Sequence, residues 1–177
     1  MTKLKKGYVH IYTGNGKGKT TAALGLALRA AGAGLKTYIA QFMKVYPYSE
    51  LNSLKLLSDH IIIEQFCGDE FVYKRQLPDE NEIKKAVNGL NKAKTMMKSD
   101  EYDLIILDEV LVSIYFKLLT VEQLIEIINE KPVNVELILT GRYCPEILYE
   151  KADLITEMKE IKHYYSKGIT SRKGIES

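Results

Sequence analysis

Between Thr13 and Thr21 the chain reads Thr-Gly-Asn-Gly-Lys-Gly-Lys-Thr-Thr, a run whose residue types suit a chain of phosphates. Glycines let consecutive backbone N–H groups converge on anionic oxygens, and a helix opening directly after them adds the partial positive charge of its N-terminus. Gly14, Asn15, Gly16, Lys17, Gly18, Lys19, Thr20 and Thr21 are therefore the candidate nucleotide contacts. Lys19 is expected to reach between phosphates, and the Thr20 hydroxyl to help hold a magnesium ion. The spacing departs from the usual G-x-x-x-x-G-K-[ST]. Five residues before Gly18 stands Thr13, and the first glycine of the loop is Gly14.

A second constellation lies at Leu104-Ile105-Ile106-Leu107-Asp108-Glu109. Four aliphatics and then two carboxylates read as a buried strand that brings acid to the carboxyl edge of a sheet, where open α/β proteins bind ligands. Alone, such a run is often only a solvated strand end. Paired with the glycine loop, it offers Asp108 and Glu109 as magnesium groups, directly or through water, and the two features together imply ATP binding. They leave the reaction open. Arg142 would clamp a phosphate or a transition state with its guanidinium fork, or else pair with Glu146 on the surface. Lys44 would reach the nucleotide from a neighbouring strand, or else be solvated. His163, beside Tyr164 and Tyr165, reads as a structural histidine and not as a metal ligand. In the polar stretch Cys67 to Tyr73, the aromatics Phe71 and Tyr73 have little reason to sit unless they cover a ligand; ordinary packing is the alternative.

The elements that must position these residues alternate. Tyr8 to Tyr12, Lys36 to Phe42, His60 to Phe66, Asp103 to Leu107 and Val135 to Thr140 read as strands that are apolar on both faces, as a parallel sheet covered on each side requires. Helices are expected at Thr20 to Ala31, stopped by Gly32 and Gly34, at Asp79 to Lys98, and at Thr120 to Asn129. In the second, Ile83, Val87, Leu90, Ala93 and Met97 fall at helical spacing. The first is apolar around almost its whole circumference and is expected to be buried. The pattern predicts a single three-layer α/β domain over residues 1–177, with right-handed crossovers and a polar, irregular C-terminal stretch from about Lys162 that is either a tail or a segment ordered by ligand.

Bulk composition agrees. The chain has 177 residues, about one domain's worth, with 46% hydrophobic content. Lys plus Arg number 25 against 23 Asp plus Glu, for a formal net charge of +2, which argues against a duplex nucleic acid partner. Two cysteines far apart support neither a disulfide scaffold nor a structural zinc site, so a reducing cytoplasm is the expected location. The apolar runs are far shorter than a membrane span needs, and no membrane association is expected.

The residues already quoted resemble the ATP:corrinoid adenosyltransferases of the CobA/CobO/BtuR type. The similarity rests on Thr13 to Ala23, Gln41-Phe42-Met43-Lys44, Leu107-Asp108-Glu109, Thr140-Gly141-Arg142, Ala152 to Met158, Ile161-Lys162-His163 and Gly174-Ile175-Glu176. It implies a P-loop NTPase-type, RecA-like fold with a mainly parallel sheet. It also implies that reduced corrinoid, cobalt(I), attacks the 5′ carbon of ATP and expels triphosphate, in synthesis or salvage of coenzyme B12. Lys19 and Arg142 would then be the catalytic residues, Lys44 a further ATP contact, and Thr20, Asp108 and Glu109 the Mg2+ groups. Phe71 and Tyr73 fall where the family's aromatics close over one face of the corrin, although Glu70 stands for an expected glycine and Tyr73 for a tryptophan. The partners implied are an electron-donor flavoprotein and a second copy of the chain. Only seven residues, Met1 to Gly7, precede the first strand, so a homodimer would be expected to use surfaces other than the family's N-terminal helix. A phosphotransferase or ATPase of the same fold, with Glu109 activating the nucleophile, and an ATP-gated corrinoid carrier are the competing readings.

Overall fold

The computed structural model describes residues 3–44, 48–66 and 77–176. Six strands form one parallel sheet: β1 (Val9–Thr13), β2 (Thr37–Phe42), β3 (Ile61–Phe66), β4 (Leu104–Asp108), β5 (Glu136–Thr140) and β6 (Leu154–Glu157). Their spatial order is β3-β2-β4-β5-β1-β6. Between them run α1 (Lys19–Gly32), α2 (Ser49–Leu54), α3 (Glu80–Lys98), α4 (Val110–Tyr115) and α5 (Val121–Asn129).

The five expected strands are all present. The apolar-on-both-faces pattern holds best at the centre, where every residue of β2 and β4 is buried. Alternate residues of one strand serve two cores. Ile39, Leu104, Ile106 and Ile138 pack with Ala23, Ala27 and Ala30 of α1. Tyr38, Ala40, Phe42, Ile105, Leu107, Leu137 and Leu139 pack with α3, α4 and α5 on the other side. Each such aliphatic stabilises the fold by roughly 1.5–3 kcal/mol relative to exposure, so the sheet's middle is the rigid base from which the loops project.

Four expectations need correction. β6 was not foreseen as a strand: it is short, lies at the sheet's edge, and all its residues are exposed. The six-residue helices α2 and α4 are likewise not among the expected elements. Helix α1 is buried along one stripe only; Leu28 on its outer side is 58% exposed. In α3 the buried stripe is Ala86, Leu90, Ala93 and Met97, and Ile83 faces outward.

The helix ends follow local chemistry. Asp79 and Glu82 form a capping box at α3. Thr120 does the same at α5 with Gln123, the residue three positions on. The phosphate loop, Lys44, the Asp108-Glu109 pair and Arg142 thus stand at the carboxyl ends of β1, β2, β4 and β5 in turn.

Candidate functional site

The phosphate loop is moulded over the residue that follows β6. A Cβ on Gly14 or Gly16 would come within 2.5 and 2.7 Å of the Met158 carbonyl oxygen. The Gly16 N–H donates to that oxygen at 2.6 Å, and the Met158 N–H donates to Thr13 O at 2.8 Å. Any side chain at these two positions would lift the loop off its support.

Lys19, the first residue of α1, is buried, and its ammonium donates to the carbonyls of Gly14 and Gly16 at 2.7 Å each. Burial, with Arg142 acting in the same direction, holds its pKa below the ordinary lysine value, against the pull of Glu109 and Asp108. The lysine thus spans the loop from within, at the place where phosphates would lie.

Asp108 is the hub of the site, at 1% exposure. Its carboxylate accepts from the Thr20 hydroxyl at 3.0 Å, the Thr140 hydroxyl at 2.7 Å and Gln41 Nε2 at 3.2 Å, and it pairs with the Lys44 ammonium at 2.9 Å. Four donors exhaust what a carboxylate can accept. Lys44 also donates to Thr20 Oγ1 at 3.1 Å. Burial works against the Lys44 charge, yet Asp108, Glu50 and Glu109 outweigh it and raise the pKa.

Glu109 is differently placed. Its backbone is left-handed (φ 60°), and its N–H donates to Thr140 Oγ1 at 2.9 Å. Its carboxylate faces the cavity and has no hydrogen-bond or ion-pair partner among the described residues. Burial, and then the neighbouring Asp108 charge, raise its pKa, although Lys44, Lys19 and Arg142 oppose the shift. Met43 and Tyr143, beyond the same ends of β2 and β5, are left-handed as well. Each such non-glycine residue costs about 1–2 kcal/mol of strain. Strain of this kind collects at functional sites.

These groups border a cavity of about 600 Å³. Gly16 to Thr21, Lys44, Glu109 and Arg142 line it, together with His163, Gly174, Ile175 and Glu176 from the C-terminal segment. Arg142 makes no ion pair with Glu146 among the described residues, and it also borders a second cavity of about 550 Å³ with Asn15 and Tyr143. His163 accepts the Tyr165 N–H on Nδ1 at 3.0 Å, a structural role. No group of three or more metal-ligating side chains occurs among the described residues. A magnesium ion would therefore need phosphate oxygens beside the protein's own. The hard oxygen donors at hand, the Thr20 hydroxyl and the Glu109 carboxylate, suit that ion.

The C-terminal segment is more ordered than an irregular tail. It makes a 3₁₀ turn at Tyr164–Lys167, then folds back so that the N–H groups of Ile175 and Glu176 donate to Arg172 O. Glu176 reaches Lys17 of the phosphate loop at 2.8 Å. Phe71 and Tyr73 lie outside the described residues. Sequence reasoning assigned no role to Gln41, Thr140 or Glu176. Thr140 is a polar residue ending an apolar strand, Gln41 a polar residue one position before the end of another, and all three lie in segments that carry the family resemblance.

Comparison with known proteins adds to this geometry. The profile of the family described as ATP:corrinoid adenosyltransferase BtuR/CobO/CobP matches residues 5–177. The chain is 34% identical to the corrinoid adenosyltransferase of Escherichia coli K12 over 173 residues, covering 97% of this chain and 86% of that protein. With the enzyme CobA of Salmonella typhimurium the identity is 32% at the same coverage. Among solved structures, the flagellar accessory protein FlaH of Methanocaldococcus jannaschii superimposes with a TM-score of 0.62 at 18% identity, over 87% of this chain and 72% of that one. A KaiC-like protein of Pyrococcus horikoshii gives 0.60 at 15% identity, over 90% and 76%. These likenesses show a P-loop NTPase-type, RecA-like fold, as the family resemblance implied. No helix among the described residues is long and apolar enough to cross a membrane.

Proposed function

The chain belongs to the ATP:corrinoid adenosyltransferase BtuR/CobO/CobP family, and from that premise we propose how its residues carry out the transfer of an adenosyl group from ATP to a corrinoid. The observation that carries the reading is that the glycine loop, with Lys19 held inside it, and Thr20, bonded to the buried Asp108 behind it, line one cavity. In the reaction a bond forms between cobalt(I) and the ribose 5′ carbon. The bond from that carbon to the triphosphate oxygen breaks, and its electron pair leaves with the triphosphate. No protein nucleophile is required.

The protein's task is then orientation and charge stabilisation. Holding two reactants in line is worth on the order of 7–11 kcal/mol. The loop amides and Lys19 take up charge on the departing triphosphate, and Arg142 adds its guanidinium from the end of β5. Magnesium, when bound, neutralises phosphate charge. Thr20 and Glu109 would hold it, and Asp108 would orient the Thr20 hydroxyl. Lys44, through Asp108 and Thr20, fixes that edge. Phe71 and Tyr73 would cover the corrin. An electron donor, expected to be a flavoprotein, must supply the reduced corrinoid. The setting is coenzyme B12 synthesis or salvage in the cytoplasm, with a homodimer as the expected assembly.

The test is anaerobic incubation with ATP, magnesium and chemically reduced cobalamin. A light-sensitive cobalt–carbon product should form together with inorganic triphosphate, resolved by ³¹P NMR, and with no ADP. ADP released at a comparable rate without corrinoid would replace this reading with an ATPase.

A further inference from the structure

Lys17 is the second lysine of the phosphate loop, and its residue type suggests a phosphate contact. Its bonds lie elsewhere. The ammonium donates to Glu176 Oε1 at 2.8 Å, to the Ile175 carbonyl at 3.1 Å and to the Tyr164 hydroxyl at 3.2 Å. A lysine has three N–H donors, and all three are spent on the C-terminal segment.

Glu176 is held as thoroughly from the other side. Its carboxylate accepts from the Tyr164 hydroxyl, from the Arg172 backbone N–H at 2.9 Å, and from the Arg172 guanidinium at 3.1 and 3.2 Å. The Tyr164 ring is near both cations, its centroid 5.9 Å from Lys17 Nζ and 4.8 Å from Arg172 Cζ. Only 15% of the Glu176 side chain is exposed. An isolated surface ion pair contributes little, but here one carboxylate joins two cations and a hydroxyl in a closed network.

Gly174, Ile175 and Glu176 also line the 600 Å³ cavity. From this we infer that Lys17 and Glu176 are positioning residues that clamp the C-terminal segment against the phosphate loop as a wall of the nucleotide site, and that Lys17 does not grip phosphate. Lys19, buried in the loop, does that work. The inference deepens the reading above and rests on it, because the wall matters only if ATP occupies this cavity.

A double-mutant cycle separates the roles. ATP affinity is measured for wild type, Lys17→Met, Glu176→Gln and the double variant, alongside trypsin cleavage in residues 167–173. Both single changes should weaken ATP binding by a similar factor, about five- to tenfold, and the double variant should lose no more than either. Cleavage should accelerate equally in all three. A large loss in Lys17→Met with none in Glu176→Gln, or losses that multiply in the double variant, would overturn the assignment and return Lys17 to the phosphates. If wild type itself bound no ATP, the functional reading would fail, while the proteolysis cycle would still decide whether the two residues act as one.

Discussion

The Lys44 ammonium lies 2.9 Å from the Asp108 carboxylate and 3.1 Å from the hydroxyl that Asp108 accepts, so a cation already stands at the junction of Thr20 and the acidic strand end. This separates two adjacent carboxylates that look equivalent on paper. Asp108 has no acceptor capacity left, whereas Glu109 faces the cavity with none used among the described residues.

Asp108→Asn should therefore act on the fold. It leaves the Lys44 charge without its buried partner and sets an amide against three donors, a loss of about 3–5 kcal/mol. Glu109→Gln should leave the melting temperature unchanged or higher while removing most of the magnesium dependence. Thermal melts and magnesium titrations of the two variants check the contrast; equal destabilisation would refute it.

The raised pKa of Glu109 sets a pH dependence. A metal competes with the proton for this carboxylate, so magnesium affinity should fall on acidification at a higher pH than for an ordinary glutamate. Stability runs the opposite way. The folded chain binds this proton more readily than the unfolded chain, so this group's contribution to stability falls as pH rises between the ordinary carboxylate value of 4.5 and the raised one. Both dependences should flatten in Glu109→Gln, measured by calorimetry across that window.

Lys19→Ala should reduce adenosylation by about 10²–10³, the usual cost of losing one preorganised charge contact. It also frees the carbonyls of Gly14 and Gly16. Circular dichroism should remain that of wild type. A folded variant with near-normal turnover would remove the loop from the mechanism.

Phe71→Ala and Tyr73→Ala should slow the reaction most when the corrinoid enters as cobalt(II), because an apolar residue pressed on the corrin face excludes an axial ligand and eases reduction. ATP affinity should hold constant. Loss of ATP binding with unaltered cobalt reduction would show that these aromatics serve the nucleotide.

Contiguity decided what could be read beforehand. Gly14 to Thr21 declare themselves because their chemistry lies within eight consecutive residues, and Asp108-Glu109 because four aliphatics precede them. The Lys44–Asp108 and Lys17–Glu176 pairs span 64 and 159 positions, from the residue numbers themselves, and no periodicity links them. Burial at α1 was overestimated because alanine and leucine on its outer side say nothing about what covers them.

Among the described residues strand β1 pairs with β5 and β6 alone, whose registers join Val9 to Leu137 and His10 to Leu154. A chain leaves the ribosome from its N-terminus, so the strand that carries the phosphate loop is synthesised before both of its neighbours and must wait for them. Contacts this distant form slowly. By contrast, β2, β3 and β4 adjoin one another with α3 between them in sequence, and they can assemble as a unit while β1 is still unpaired. Met158, the support beneath Gly14 and Gly16, arrives later still. The nascent protein thus carries its most recognisable residues for most of synthesis without being able to shape them, and ATP can act as a folding ligand only after the last strand has docked.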